Sequence, residues 1–496
     1  MYGLLGIDVG TSAVKSSLFT TKGVLLGTES FEYPTIYNDY GLVEQNPEDW
    51  WKGIVVTVNK LLEDNKINVV ALAMSTQGGT LVPVDSDNNP THPAIVWSDE
   101  RCKTARSKIL EKFTEDEIYE ITGWRLSSGL NLLQILELKI NNRSVFDKTV
   151  SFLSVPDYLA VKLTGKCVID FSNAGINQLY DVRDNKWSKV LLDFAGISEN
   201  QLAQLSDSGI VIGKIKREVI KELGISSDAV LVTGGHDQYC AALGAGLTNP
   251  GDVLIGSGTA WTVNLPTKLP KVDVNSGNTF SRHVIPGLYG TLISLSFGGQ
   301  SLEWFRTLLL NNRKSDFSLS YKVIDENVGK RNIDRQLIFI PFFNGISHKI
   351  NCPELSAGFL GIKSGHDAYD LIRAIMESVA MYAAYLITIL SDNGIVNKVV
   401  LTGGAGNSDV WVKMVADTLN LPVIVPNNKN ASSRGAAMLA GIGAGIFTNH
   451  QEAIDVFLNE TNVKEKIIYP GKNHQLMFKK QKLFIEMLEH LTIFYK

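Results

Sequence analysis

The chain holds 496 residues, 44% of them hydrophobic and 20% charged. That balance describes a folded globular protein and excludes general disorder, and the length suits two large domains or three smaller ones. With 47 basic against 51 acidic residues the net charge is −4, which argues against a nucleic-acid partner. The four cysteines (Cys102, Cys167, Cys240 and Cys352) show no metal-ligand spacing, so free thiols in a reducing compartment are expected. The N-terminus lacks a basic segment and meets Asp8 early, unlike a signal peptide. The longest apolar stretch, Ala374–Leu390, contains Glu377 and Ser378 and reads as a buried helix, not a membrane span. These features predict a soluble, cytoplasmic protein.

In chain order, Leu4–Ile7, Val14–Phe19 and Val24–Gly27 read as short strands separated by Gly10-Thr11-Ser12 and Lys22-Gly23, a meander of hairpins. Val69–Met74 is a further strand. About 250 residues on, Asp252–Ile255, Gly256-Ser257-Gly258-Thr259 and Ala260–Leu265 repeat the strand, Gly-Thr turn, strand unit. The repetition predicts two related α/β domains, 1–248 and 249–496, parted at the turn-rich Thr248-Asn249-Pro250-Gly251. Asp367–Leu390 has helical spacing and stops at Asn393-Gly394. Lys398–Leu401 and Val423–Val425 read as strands, with Asp409–Leu419 and Ser432–Ile446 as helices. Lys464–Lys496 reads as a closing helix with Phe478, Leu483, Phe484, Met487 and Leu488 inward.

No GxxxxGK[ST] loop is present. Gly441-Ile442-Gly443-Ala444-Gly445 has the outline of a dinucleotide loop, but it falls in a helix of small residues and fits close helix packing better. The Gly-Thr turns offer another way to hold phosphate: glycine lets backbone N–H groups approach an anion, and threonine adds a hydroxyl. Asp8 ends the first strand, where a carboxylate can hold a water of Mg²⁺. In Val230–Gln238 a strand runs through two glycines into a helix of small residues, which puts Asp237 at or beside the helix N-terminus. Local pattern leaves two roles open for Asp237, helix capping and proton acceptance from a substrate hydroxyl. It does not rank His236 against Asp237 as base.

Several segments together resemble the FGGY carbohydrate kinases, a family that includes xylulokinases, gluconokinases and glycerol kinases. They are Gly6–Ser12, Glu44–Trp51, Pro93–Arg101, Asp157–Leu159 with Leu163–Gly165, Gly234–Gln238 and Gly403–Trp411, in that order along nearly the whole chain. The resemblance implies an α/β fold of two actin-like (ribonuclease H-like) ATPase domains flanking a nucleotide and sugar cleft. It implies that Asp237 is the base that deprotonates the sugar hydroxyl, and that Asp8 organises Mg²⁺ and phosphate, with Asp237 also near the metal. It places nucleotide contacts at Gly10, Thr11, Ser12, Lys15, Gly258, Thr259, Gly299, Glu303, Gly403, Gly404 and Ser408. Sugar contacts fall on Gln77, Gly78, Gly79, Trp97, Asp99, Arg101, Asp237 and Gln238. For Asp99 and Arg101, an ion pair on a surface loop is the equal alternative.

The sugar loop, Ser75–Thr80, lacks the Arg-Glu pair of glycerol kinases and the Met-His-Gly of xylulokinases. Gly345–Lys349 stands where the family often has Gly-Glu-Arg-Thr-Pro, and Asn131 and Gln134 replace a signature Lys and Trp. The resemblance implies ATP-dependent phosphorylation of a sugar hydroxyl, with a ketopentose such as D-xylulose ranked first. Gluconate or another polyol or ketose is the alternative, and a homodimer is a further expectation. A reading from another class is an actin-fold protein that uses ATP to switch a binding partner or client.

Overall fold

The structure, a computed structural model, describes residues 2–38, 41–270, 278–295, 297–311, 319–343, 345–347, 350–352, 354–391, 395–426, 430–459 and 465–495. Strands β1 (Tyr2–Val9), β2 (Ala13–Thr20), β3 (Leu25–Glu32), β4 (Asn68–Thr76), β5 (Val211–Lys214) and β6 (Val230–His236) form the first sheet. The second holds β7 (Asp252–Ser257), β8 (Trp261–Thr267), β9 (Thr279–Arg282), β10 (Tyr289–Leu295), β11 (Lys398–Gly403), β12 (Val423–Val425) and β13 (Lys466–Ile468). The helices that bear on the site are α1 (Pro47–Asp64), α2 (Phe171–Ile176), α3 (Asp237–Gly244), α4 (Gly298–Asn311), α5 (Ala368–Leu390), α6 (Asp409–Leu419), α7 (Ala431–Gly443) and α8 (His474–Tyr495).

The first sheet runs β5-β6-β4-β1-β2-β3 and the second β13-β12-β11-β7-β8-β10-β9. In each, a Gly-Thr hairpin is antiparallel, two further strands add in parallel beside its first strand, and the outermost of that side turns antiparallel. The repetition seen in the two turns thus extends across whole sheets. Central strands are buried on both faces, which is why they read as unbroken apolar runs. Leu5, Ile7 and Val9 pack with Trp50, Ile54 and Val58 of α1, while Leu4, Ala71 and Ala73 pack with Ala436, Ala437 and Ala440 of α7.

That last contact crosses the division expected at residue 248. Helix α7 comes late in the chain but lies on β1, β4 and β6 of the first sheet. Ser433 Oγ meets Ser17 Oγ at 2.8 Å, and Asn430 Nδ2 donates to Thr28 Oγ1 at 2.6 Å. The approach is close because both surfaces are bare: a Cβ on Gly6 would sit 1.8 Å from the Ser433 carbonyl oxygen. This packing accounts for the small residues of 431–445.

Helix α5 begins where the pattern places it, with Asp367 as N-cap in a capping box. It is long and apolar enough to cross a membrane, yet most of it is buried inside the second lobe. The expected stop at Asn393-Gly394 lies outside the described residues, as do Lys464, Lys496, His348 and Lys349. The closing stretch needs correction. It holds strand β13 before helix α8, and Phe478 is 63% exposed, whereas Met477, Lys480, Phe484 and Leu488 are buried. The inward stripe includes a lysine because Lys480 Nζ pairs with buried Glu377 at 2.6 Å, itself held by Arg373 Nε at 2.6 Å. An apolar-only pattern skips that position and shifts the face.

Gly6→Ala tests the clasp between β1 and α7. Overpacking of this kind costs about 1–3 kcal/mol or more, so a thermal melt should fall by several degrees. Gly358→Ala, whose new Cβ has nothing within 4 Å, should leave the melt nearly unchanged.

Candidate active site

Strands β1, β4 and β6 run parallel and end together, with Asp8 and Gly235 both opposite Ser75. Open α/β sheets bind ligands at this carboxyl edge. A register irregularity between Val232 and Gly235, with Gly234 pressed on the Met74 carbonyl, brings the next residues out at the rim. Asp237 is the first residue of α3, and its N-cap is His236, which makes no side-chain cap bond. Asp237 therefore is not the cap. Its Oδ1 is buried without a hydrogen-bond partner. Asp8 Oδ1 accepts from Ser75 Oγ at 2.9 Å.

Desolvation by burial, with the Asp237 charge adding, pushes the Asp8 carboxyl up to about 7 against the opposing Ser75 hydrogen bond and Lys15. Burial likewise raises Asp237 to about 6, offset by hydrogen bonds from the Gln238 backbone and side chain. His236 goes the other way: burial lowers it to about 4, so its ring is uncharged at neutral pH.

The first hairpin turn is held from behind. Gly10 N donates to Ala13 O at 3.1 Å, Tyr33 OH donates to Gly10 O, and Gln45 Nε2 donates to Thr11 O at 2.5 Å. Trp97 Nε1 donates to Thr11 Oγ1 at 3.2 Å. Ser12 and Lys15 are exposed, and Lys15 stands opposite Asp8 in the β1–β2 register. In the second hairpin Gly258 and Thr259 are exposed, and Gly299 lies against them: a Cβ there would be 2.4 Å from Gly258 O. Gly403, at φ +95°, leaves β11 beside Ser257, where a Cβ would fall 2.7 Å from the Ser257 carbonyl oxygen. Gly258, Thr259, Gly299, Gly403 and Gly404 therefore share one corner. Ser408 caps α6 and donates to Asp325 Oδ1 at 2.6 Å. Glu303 is engaged by Arg306 Nη2 at 2.6 Å and Tyr321 OH at 2.7 Å.

Gln238 joins the lobes. Its Oε1 accepts from Thr262 Oγ1 at 2.9 Å and its carbonyl from Asn264 Nδ2 at 3.0 Å, which ties the start of α3 to the second hairpin.

In the Ser75–Thr80 loop, Gln77 N donates to Val9 O at 2.9 Å and Gln77 Nε2 to Gln45 Oε1 at 3.0 Å, while Gln77 Oε1 is buried without a partner. Gly79 has φ +71°, a conformation that favours glycine. Trp97 is 46% exposed. Asp99 and Arg101 form the pair held open above. Asp99 accepts from Val43 N at 2.6 Å and from Arg101 Nη2 at 2.7 Å, and Arg101 Nη2 also reaches Glu44 at 2.7 Å. The pair is largely buried, not on a solvated loop.

Supports to which the sequence assigned no role include Ser75, Gln45, Gln134 and Ser172. Gln134 Nε2 reaches the carbonyls of Gly129 at 2.9 Å and Gly79 at 3.3 Å, which secures the glycine loop. Gln45, Ser75 and Gln134 fall in segments marked by the resemblance, Glu44–Trp51, Ser75–Thr80 and the Asn131/Gln134 departure, but Ser172 carried no signal. Their contacts become visible only when distant segments meet.

The donor set suits Mg²⁺, which keeps several waters and takes one or two carboxylates with substrate phosphates. Asp8 and the unpartnered Oδ1 of Asp237 are such a pair, and burial raises both.

Comparison with known proteins agrees with this geometry. The N-terminal domain of the FGGY family of carbohydrate kinases matches residues 3–244, and its C-terminal domain matches 253–444. The chain is 28% identical over 462 residues to the xylulose kinase of Bacillus subtilis (strain 168), covering 92% of this chain and 91% of that protein. It is 24% identical over 450 residues to the gluconokinase of the same organism, covering 89% and 88%. Among solved structures, ligand-bound xylulose kinase from Lactobacillus acidophilus superposes with a TM-score of 0.90 at 23% identity, covering 100% and 99%. Its fold is therefore the two-domain fold of sugar kinases. The chain belongs to the FGGY family of carbohydrate kinases and is a sugar phosphotransferase.

The raised carboxyls predict a stability gain when a charge is removed. A carboxyl whose folded value exceeds its ordinary 3.8 stabilises the fold at low pH and loses that contribution as pH rises through about 7 for Asp8. Asp8→Asn and Asp237→Asn should therefore melt higher than the unsubstituted protein at pH 8, by the equivalent of about 1–3 kcal/mol. The difference should shrink toward pH 4 in a melting series without nucleotide.

Proposed function

We propose that the protein transfers the terminal phosphoryl group of ATP to a hydroxyl of an uncharged ketose, with a ketopentose such as D-xylulose as the leading substrate. The observation that carries this reading is the partnerless Asp237 oxygen beside Asp8 at the carboxyl edge of parallel strands. Asp237 accepts the hydroxyl proton as the sugar oxygen bonds to phosphorus, and ADP leaves with the electron pair of the broken bond. Transfer through a loose transition state rewards positioning more than basicity. A carboxylate raised to about 6 is nonetheless a better base than an ordinary aspartate.

Asp8, with Asp237, would hold Mg²⁺, which supplies charge neutralisation on the transferring phosphates. The turns at Gly10-Thr11-Ser12 and Gly258-Thr259, with Lys15, face those phosphates from the two lobes. Gly299, Gly403 and Gly404 leave room for the nucleoside, while Glu303 and Ser408 fix α4 and α6 around it. Gln238 couples the base to the second hairpin. Closure of the lobes excludes water, the competing acceptor.

Among substrates, the uncharged ketose is favoured over gluconate by the state of Arg101. Its guanidinium is spent on Asp99 and Glu44, so the pair orients the Trp97 loop and offers no cation to a sugar carboxylate. Gln77, Gly78, Gly79 and Trp97 then meet hydroxyls. Relatives named as xylulose kinases support the pentose.

An assay coupled to ADP release, run on xylulose, ribulose, gluconate, fructose, glycerol and erythritol, tests this reading. The expected result is sugar-dependent release, with kcat/KM for a ketopentose at least about tenfold above that for gluconate, a difference of roughly 1.4 kcal/mol. Gluconate as the best substrate would overturn the assignment of Arg101. In the same assay Asp237→Asn should lose about 10²–10⁴-fold in kcat while still binding ATP. The unsubstituted protein should lose kcat/KM as pH falls below about 6–7, where the two carboxyls take up protons.

A further inference from the structure

Three segments of the first lobe meet over one amide. Gln134, in the helix Asn131–Asn141, is fully buried. Its Nε2 donates toward four backbone carbonyls: Gly129 at 2.9 Å, Ile95 at 3.2 Å, and Gly79 and Val96 at 3.3 Å. A flipped amide would turn its oxygen on those carbonyls, so the orientation is fixed. The cost shows at the other atom, since Oε1 is buried without a partner. Gln134 is also one of the chain's two departures from the family signature in this helix. Val96 leads directly into Trp97, and that segment is held from two more sides. Val96 N donates to Val43 O at 3.0 Å, and a Cβ on Gly129 would sit 1.6 Å from the Trp97 carbonyl oxygen. The Trp97 side chain, by contrast, is exposed, and its Nε1 donates to Thr11 Oγ1 at 3.2 Å. A solvated ring keeps such a bond only when the backbone beneath it does not move.

We propose that Gln134 is a positioning residue for phosphate binding: by immobilising the segment 95–97 it holds the Trp97 indole on Thr11, and so aims the Thr11 hydroxyl proton into the cleft. An indole N–H only donates, so Thr11 Oγ1 is the acceptor and its own proton is left to donate elsewhere. The acceptor that suits it is a phosphate oxygen of the nucleotide, which has lone pairs and no proton to offer in return. Without the indole the hydroxyl rotates freely, and in half of its orientations it turns lone pairs on the phosphate. Gln45 already fixes the backbone of the turn through the Thr11 carbonyl at 2.5 Å. The hydroxyl is the part that the backbone contact leaves free, and the indole sets it. Gln134 touches neither substrate; it acts through Trp97.

The inference rests on the reading of Thr11 as a phosphate contact, and calorimetry with Mg²⁺ and a non-hydrolysable ATP analogue tests it without any sugar. The variants are Gln134→Met, Trp97→Phe, Thr11→Val and the milder Gln134→Asn, which keeps the amide but draws it back from the carbonyls. A thermal melt confirms that each is folded. Trp97→Phe should weaken analogue binding about three- to tenfold, the worth of one hydrogen bond. Gln134→Met should match that loss, and Gln134→Asn should show part of it and carry the comparison if the Met variant does not fold. In a Trp97→Phe or Thr11→Val background the Gln134 substitution should cost less than about twofold more, because the relay is already broken. In spectra of protein labelled with ¹⁵N at the indoles, the Trp97 N–H, identified by its loss in Trp97→Phe, should exchange with water faster once Gln134 is replaced. Unchanged analogue binding in Trp97→Phe or in a folded Gln134 variant overturns the inference. So does a full further loss from the Gln134 substitution in the Trp97→Phe background, which marks a structural role alone. Failure to phosphorylate any panel sugar overturns the kinase reading and leaves these comparisons decisive; failure of the unsubstituted protein to bind the analogue overturns both.

Discussion

The site depends on the cost of holding two carboxylates together at one dry rim. Asp8 and Asp237 come from strands that share β4 as neighbour, so sheet register alone brings them side by side. Among the described residues neither forms an ion pair with a lysine or arginine, and burial pushes both toward the protonated form. Groups placed against their own stability in this way mark functional sites more often than structural ones. The remaining features hold that unfavourable arrangement in place: Ser75 on Asp8, α3 launched at Asp237, and Gln238 anchored across the lobes.

The two sheets repeat one strand order but not one chemistry. Two residues before the turn glycine, the first lobe has Asp8 and the second has Gly256. A Cβ on Gly256 would sit 2.5 Å from Thr262 Oγ1, the hydroxyl that bonds Gln238. The second hairpin thus has no acid there, and it binds instead the helix that carries the other lobe's acid. The repeated strand order supplies the frame, and this difference leaves an acid at only one of the two hairpins. The return of α7 onto the first sheet, with the β9–β10 hairpin docked through Arg282 and Asp207 at 2.8 Å, keeps the halves engaged.

What could be read from the sequence was whatever depends on short-range chemistry. Gly-Thr turns, the Asp367–Leu390 helix and the apolar strands follow from local pattern, two related α/β domains follow from seeing one pattern twice, and the actin-like fold came from the family resemblance. Asp8 and Asp237 were visible as acids at strand ends. Hidden were the contacts between segments far apart: Gln134 under the Gly79 loop, Ser172 behind His236, and Ser433 against Ser17. Phe478 was misplaced for a related reason, since a buried lysine can lie on an inward face only when a partner 103 residues away, Glu377, is known to meet it. The Asp99–Arg101 pair stayed ambiguous because Glu44, which completes it, lies 57 residues from Arg101 on the strand Val43–Gln45.

The central claim is that Asp8 and Asp237 form a coupled, charge-starved pair awaiting a metal–nucleotide complex. It is tested most directly by ¹³C NMR titration of the aspartate carboxyls, with Asp8→Asn and Asp237→Asn to identify the signals. Without nucleotide the two should titrate at about 6 to 7, and addition of Mg²⁺ with a non-hydrolysable ATP analogue should drive both down. Titration of both near 4 in the free protein, unmoved by the metal and nucleotide, would contradict the account.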